Sequence, residues 1–149
     1  MNKINSDVYD WLSTAGQKPD KSKLKLAFKL VNEEVCELED GCVTDNRTEV
    51  LDGLIDSFWV LLNVAFFYGI TLEELKSYQD KVSLSNWSKF CKSEQEAVDT
   101  CRAYTNGTHP DKPGTTIDCD YEKSGDWWVI KRSDGKILKS LYYVNVSNI

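Results

Sequence analysis

Apolar residues recur at helical spacing through the first two thirds of the chain, then give way to short β-prone runs after Asn106-Gly107. Ser6-Asp7 can cap a short helix that presents Val8, Trp11 and Leu12 on one side, and Gly16 and Pro19 bracket its interruption. Ser22 is placed to start a second helix through Leu24, Phe28, Leu30 and Val31 to about Asp40, with Gly41 as its terminator. Thr48 is placed as the next N-cap, and Gly69 should end the helix it opens. Thr71 with Glu74 forms a capping-box pattern for a fourth helix reaching about Phe90, and Ser93 with Glu96 repeats it for a fifth up to Tyr104. Beyond that point Pro110 and Pro113 discourage helix, and Thr115-Thr116-Ile117 opens an alternating stretch. Trp127-Trp128-Val129-Ile130 and Ile137-Leu138 flank Ser133-Asp134-Gly135, a hairpin turn. These elements predict a mainly α protein, an antiparallel helical bundle carrying a small C-terminal β-hairpin or three-stranded meander. Residues 1–149 would form a single domain, with 1–105 as a helical body and 106–149 as a loop and hairpin appendage.

Composition narrows the classes. The 149 residues suffice for one core, and 41% hydrophobic content with five Trp fits a folded chain. A net charge of -6 argues against a nucleic-acid binder, although a local basic patch can still hold a phosphorylated small molecule. The five Cys contain no CxxC pair and His109 is the single histidine, which favours neither a zinc site nor a disulfide framework and fits a reducing compartment. Residues 1–10 are polar, so no signal peptide is read there. The apolar stretch at 54–70 falls short of the ~20 residues of a membrane span and carries Asp56 and Asn63. It reads as a core helix, and the protein as a soluble one of the cytoplasm (a host cytoplasm if the chain is viral).

The candidate chemistry is acidic. Asp56 lies in the most apolar stretch of the chain, where an ionised carboxylate must be neutralised, paired or bound to metal. Glu34 and Glu37 share a helix face, with Glu33 beside Glu37; Glu49, Asp52 and Asp56 form a second stripe on the next helix, which Asn63 extends. The short 42–47 connection would turn these stripes face to face. Oxygen ligands alone suit Mg²⁺, or Mn²⁺. The plainer readings are a solvated helix face for the acidic run and a buried ion pair to a Lys or Arg for Asp56. Asn63 reads equally as a core amide bonded to backbone, and Phe58, Trp59, Phe66 and Phe67 as core or subunit-interface residues. Residues 85–89 read as a frayed helix end or a phosphate contact, and Arg132, Lys136 and Lys139 as exposed strand charges.

Glu33-Glu34-Val35-Cys36-Glu37, then Asp52 and Asp56-Ser57-Phe58-Trp59, with Asn63, resemble the MazG-like all-α nucleoside triphosphate pyrophosphohydrolases, a superfamily that includes dimeric dUTPases and phosphoribosyl-ATP pyrophosphohydrolase. Gly16-Gln17, Ser85-Asn86-Trp87-Ser88-Lys89 and Asp134-Gly135-Lys136-Ile137-Leu138-Lys139 look like its short phage and bacterial members. The family pattern is EExxE followed by ExxD. Glu49-Val50-Leu51-Asp52 satisfies the second part literally, yet Asp56 holds the place before the aromatic helix, with Gly53 three positions upstream. The resemblance implies a MazG-like bundle, metal ligation by Glu34, Glu37 and the Asp of the second motif, and Asp52 within the site under either alignment. Glu49 completes the set of candidate ligands.

The implied reaction is Mg²⁺-dependent hydrolysis of a (d)NTP between the α and β phosphorus atoms, with Glu33 or Glu37 taking the proton of the attacking water. Lys89, Lys136 and Lys139 would hold the polyphosphate, Asn63 and Asn86 would position sugar or phosphate oxygens, and Gln17 or Trp59 would touch the base. A homodimer or homotetramer is implied as well. Two rivals remain open: hydrolysis of phosphoribosyl-ATP, and a non-catalytic helical dimer that binds metal or nucleotide.

Overall fold

The computed structural model describes residues 3–149. Among them are five α-helices, α1 (Lys3–Thr14), α2 (Leu24–Val43), α3 (Arg47–Tyr68), α4 (Leu72–Trp87) and α5 (Glu94–Thr105), and a two-stranded antiparallel sheet, β1 (Cys119–Ser124) and β2 (Trp127–Arg132). The protein is mainly α. It divides into two compact units, Met1–Ser77 and Tyr78–Ile149, with α4 running from one into the other.

In the first unit α2 and α3 form an antiparallel pair, and α1 packs on α3. Two boundaries differ from those expected. Asn46, not Thr48, caps α3: its Oδ1 accepts from the N–H of Thr48 at 3.2 Å and of Glu49 at 3.4 Å. Gly41 does not terminate α2 but lies buried inside it, where a Cβ would come within 3.0 Å of the Val50 nitrogen. The glycine is needed for helix approach, and Asp45 at φ 51 takes the left-handed position of the turn instead. Before α2, Asp20 accepts from the Ser22 N–H at 2.9 Å and caps a 3₁₀ turn, Lys21–Lys23. Gly69, at φ 90, ends α3 as expected.

The core of this unit gathers Val8, Leu12 and Phe66, with Ile4, Tyr9, Trp59, Leu62 and Phe67 against them. That cluster covers only part of α3. Counted from Arg47, the 22-residue helix is long and apolar enough to cross a membrane by length and composition alone, a test that the core helix of a soluble protein also passes; 39% of its most apolar window is buried. Leu51, Leu54, Ile55, Phe58 and Leu61 are exposed.

The second unit is built on Cys91, Ala97, Cys101, Tyr104, Ile130 and Leu138. Helix α5 packs on both strands, so it belongs with the hairpin rather than with the preceding helices. The hairpin also differs from expectation. Cys119 pairs with Arg132 and Ser124 with Trp127, around a turn at Gly125-Asp126. The Ser133-Asp134-Gly135 turn leads only to an isolated Lys131–Ile137 bridge, so the third strand of a meander is absent among the described residues. The Cys101 and Cys119 sulfurs lie 2.9 Å apart, and all five cysteines are free.

The end of α4 is tied down rather than frayed. Ser85 Oγ donates to the Val144 carbonyl at 2.8 Å, Ser88 Oγ donates to the Ser85 carbonyl at 2.7 Å and accepts from the Val144 N–H at 2.9 Å, and Ser140 Oγ donates to the Ser88 carbonyl at 2.8 Å.

Candidate functional site

The register of α2 against α3 is set where backbones come closest. A Cβ at Gly53 would lie 2.9 Å from the Leu38 Cα, and one at Gly41 would lie 3.1 Å from the Glu49 Cβ. Moving one helical turn from Leu38 and from Gly53 in opposite chain directions brings Glu34 level with Asp56 and Ser57. The electrostatics agree. The Glu34 carboxyl is pushed above the ordinary glutamate range, first by desolvation and then by the negative charges of Glu37, Asp56, Glu33 and Asp52. Five carboxylates from two helices therefore share one neighbourhood, with Glu34 partly buried at its centre.

Basic side chains leave this cluster largely uncompensated. Lys29 pairs with Glu33 at 3.1 Å on the exposed side, and among the described residues no ion pair reaches Glu34, Glu37, Asp52 or Asp56. The buried ion pair considered for Asp56 does not form. Its premise is corrected too, because Asp56 is exposed: Ile55 and Phe58, its apolar neighbours on α3, are themselves exposed. Glu49 is not drawn in. It sits in the first turn of α3 opposite Gly41, seven residues from Asp56, or about 10 Å along the helix.

The donor set fits a hard divalent cation in chemistry, since every candidate ligand is a carboxylate. Among the described residues no three His, Cys, Asp or Glu side chains converge closely enough to enclose an ion. Two further polar atoms on α3, Ser57 Oγ and Asn63 Oδ1, are buried without hydrogen-bond partners. Asn63 therefore does not bond backbone through this oxygen.

A pH dependence follows from Glu34. Because its proton is held more tightly in the folded chain, its contribution to stability is complete below the ordinary glutamate pKa and is lost as pH rises through the elevated one. The difference in stability between wild type and Glu34→Gln in chelator should thus shift against wild type as pH rises across that window. Parallel urea titrations measure it, and a pH-independent difference would contradict the electrostatic assignment.

The remaining candidates divide between the units. In the first, Gln17 accepts a hydrogen bond from Lys23, and Trp59 packs edge-on against Trp11 with ring centroids 6.0 Å apart. In the second, Asn86 Oδ1 accepts from Lys89 Nζ at 2.7 Å. Lys89, Lys136 and Lys139 line one cavity of about 250 Å³, so the lysines are not independent strand charges. Arg132, read from the sequence as an exposed strand charge, shares this cavity, and so does Lys112, which the sequence reading missed because it sits in a Pro-flanked loop without periodicity.

Asp111 accepts from Lys139 Nζ at 2.6 Å, and that bond holds its carboxyl below the usual aspartate range. Beneath lies Tyr104, its hydroxyl pushed up to about 12 chiefly by burial, stacked on buried His109 at 3.8 Å. A larger apolar cavity of about 450 Å³ in the same unit is lined by Trp87, Phe90, Trp127 and Tyr142.

No family model, curated protein or solved structure matches the chain.

Proposed function

We propose that the protein is a metal-dependent nucleoside triphosphate pyrophosphohydrolase, cleaving the α–β phosphoanhydride of a (d)NTP to the monophosphate and pyrophosphate. The observation that carries this reading is the carboxylate cluster around Glu34, assembled from two helices, in which Glu33 alone has a basic partner, the exposed Lys29. Structural carboxylates are usually placed to avoid one another, and self-repulsion of this kind is retained where a cation offsets it. The order of the motifs, EExxE followed by ExxD and an apolar aromatic helix, supports the same conclusion through its resemblance to MazG-like enzymes.

Glu34, Glu37, Asp52 and Asp56 would hold Mg²⁺ or Mn²⁺, with Glu49 outside the set. When bound, the ion supplies Lewis-acid neutralisation of phosphate charge. The chain does the rest. Glu33, or Glu37 through a carboxylate oxygen that does not hold the ion, would accept the proton of the attacking water; Glu33 shares its carboxylate with Lys29. Asn63 Oδ1, two turns beyond Asp56 on the same helix face, and Ser57 Oγ, next to Asp56 in sequence, are oxygens without hydrogen-bond partners.

The exposed Leu51, Ile55, Phe58 and Leu61 lie along one side of α3 and are covered, in this reading, by a second copy of the chain. Light scattering should then give two or four times the 17.0 kDa protomer mass. The activity is tested with a panel of NTPs, dNTPs and phosphoribosyl-ATP in Mg²⁺ or Mn²⁺, following pyrophosphate. Release from a (d)NTP is expected. Release from phosphoribosyl-ATP alone would reassign the substrate, and calorimetric nucleotide binding without turnover over hours would make the protein a non-catalytic binder.

A further inference from the structure

In a chain whose net charge is -6, the second unit gathers five basic side chains around one cavity. Lys89, Lys112, Arg132, Lys136 and Lys139 surround one cavity against a single lining carboxylate, Asp111. Three of these cations are oriented by neighbours. Asp111 holds Lys139 at 2.6 Å, Asp134 holds Arg132 at 2.5 Å, and Asn86 holds Lys89 at 2.7 Å. Lys112 and Lys136 have no carboxylate within ion-pair reach among the described residues. The wall behind them is fixed: the Lys139 N–H donates to the Tyr104 hydroxyl at 3.2 Å, and the Leu138 N–H donates to the Ile130 carbonyl at 2.9 Å.

The geometry points to a metal-independent anion site here, which takes a compact, multiply charged group of the phosphate or diphosphate class. Size supports this, since a cavity of about 250 Å³ lies below the usual range of roughly 300–1,000 Å³ for drug-sized ligands. Charge supports it as well. Asp111 and Asp134 offset Lys139 and Arg132, which leaves the charges of Lys89, Lys112 and Lys136 unbalanced; a monocarboxylate brings one negative charge to them, whereas a phosphate ester or diphosphate brings two or more and several acceptor oxygens. Lysine ammonium groups serve such an anion as point charges that need no planar match, and Arg132 adds a guanidinium already oriented by Asp134. The site stands on the second unit alone and does not rest on the hydrolase reading.

Calorimetry on the full chain in EDTA at low salt tests it, with pyrophosphate, phosphate, sulfate and citrate as separate titrants. Pyrophosphate should bind, phosphate more weakly, and both should weaken as ionic strength rises. The double variant Lys112→Ala/Lys136→Ala removes two ammonium groups without ion-pair partners, so folding should persist by near-UV circular dichroism while pyrophosphate affinity drops at least about tenfold. Glu34→Gln should bind pyrophosphate as wild type does, whatever its effect on hydrolysis in Mg²⁺, which keeps the two readings separable. A non-hydrolysable nucleoside triphosphate in the same buffer distinguishes the sources of the anion. Binding at least as tight as pyrophosphate assigns the tail of a nucleotide, weaker binding assigns the free anion, and either supports the class. No heat with pyrophosphate, equal affinity for sulfate and citrate, or a double variant that binds like wild type would overturn it.

Discussion

Glu34→Gln is expected to reduce pyrophosphate release on the order of a hundredfold or more, the scale seen when a charged group that orients or stabilises the reacting centre is lost. The metal-free protein should be no less stable for the change. Glu34 is the partly buried member of a group of five carboxylates, and its elevated pKa records that desolvation and like charge oppose its ionisation. The amide keeps the shape and removes the charge, so it relieves repulsion of a few tenths of a kcal/mol for each helical like-charge pair. Divalent metal should reverse the ranking. A ligand present at a hundred times its dissociation constant stabilises the folded state by about 2.7 kcal/mol, and the wild-type melting temperature should climb with Mg²⁺ while that of Glu34→Gln barely moves. Scanning calorimetry with and without the ion gives the answer. Equal metal-induced shifts in both proteins, or undiminished turnover in the variant, would remove Glu34 from the site.

Gly53→Ala should have the largest structural effect of any small substitution in the first unit. The added methyl would lie 2.9 Å from the Leu38 Cα, 3.0 Å from its nitrogen and 3.1 Å from its Cβ, and none of these atoms can rotate away. The helices must move apart, at a cost of about 1–3 kcal/mol for an overpacked contact. The better helix propensity of alanine recovers roughly 1 kcal/mol of that. The net loss, read as a lower urea midpoint, is modest beside the expected loss of activity. Asp52 flanks Gly53 in sequence and Asp56 follows one turn later, so separation of the backbones at this point draws both from Glu34. Gly41→Ala is the comparison: its methyl would meet Val50 and Glu49 at 3.0–3.2 Å, well away from Glu34. It should lower stability similarly with a smaller effect on turnover. Equal losses of activity from both variants would detach the acidic cluster from the chemistry.

Helix positions were legible in the sequence where a local hydrogen-bond pattern enforces them. The Thr71–Glu74 capping box forms reciprocally, with the Thr71 N–H donating to Glu74 at 2.8 Å and the Glu74 N–H to Thr71 at 3.2 Å. Ser93 likewise accepts from the Glu96 N–H at 3.2 Å, although the Glu96 carboxylate turns instead to the Lys92 N–H at 2.7 Å. The acidic stripes were legible because residues three, four and seven apart share a helix face in any tertiary setting. Tertiary choices were not. Gly41 has the local signature of a helix stop, and only its contact with Val50 shows why a glycine is required mid-helix. Strand β1 carries Asp120, Tyr121, Glu122 and Lys123, all exposed, so no apolar alternation marked it. Helix α3 is apolar around most of its circumference, and its periodicity therefore could not tell which side faces the core. That is why Asp56 read as buried and stands exposed.

Helix α4 also governs how the protein can be dissected. The border between the units falls between Ser77 and Tyr78, inside this sixteen-residue helix. Severing the chain there leaves two stubs, each shorter than the roughly 12–15 residues at which an isolated helix becomes even marginal in water. One stub would keep the Thr71–Glu74 cap without a body to stabilise, and the other would lose its beginning. Fragments meant to report separately on the carboxylates and on the lysine cavity should overlap, each carrying residues 71–87 whole, so that neither is compared in a half-melted state.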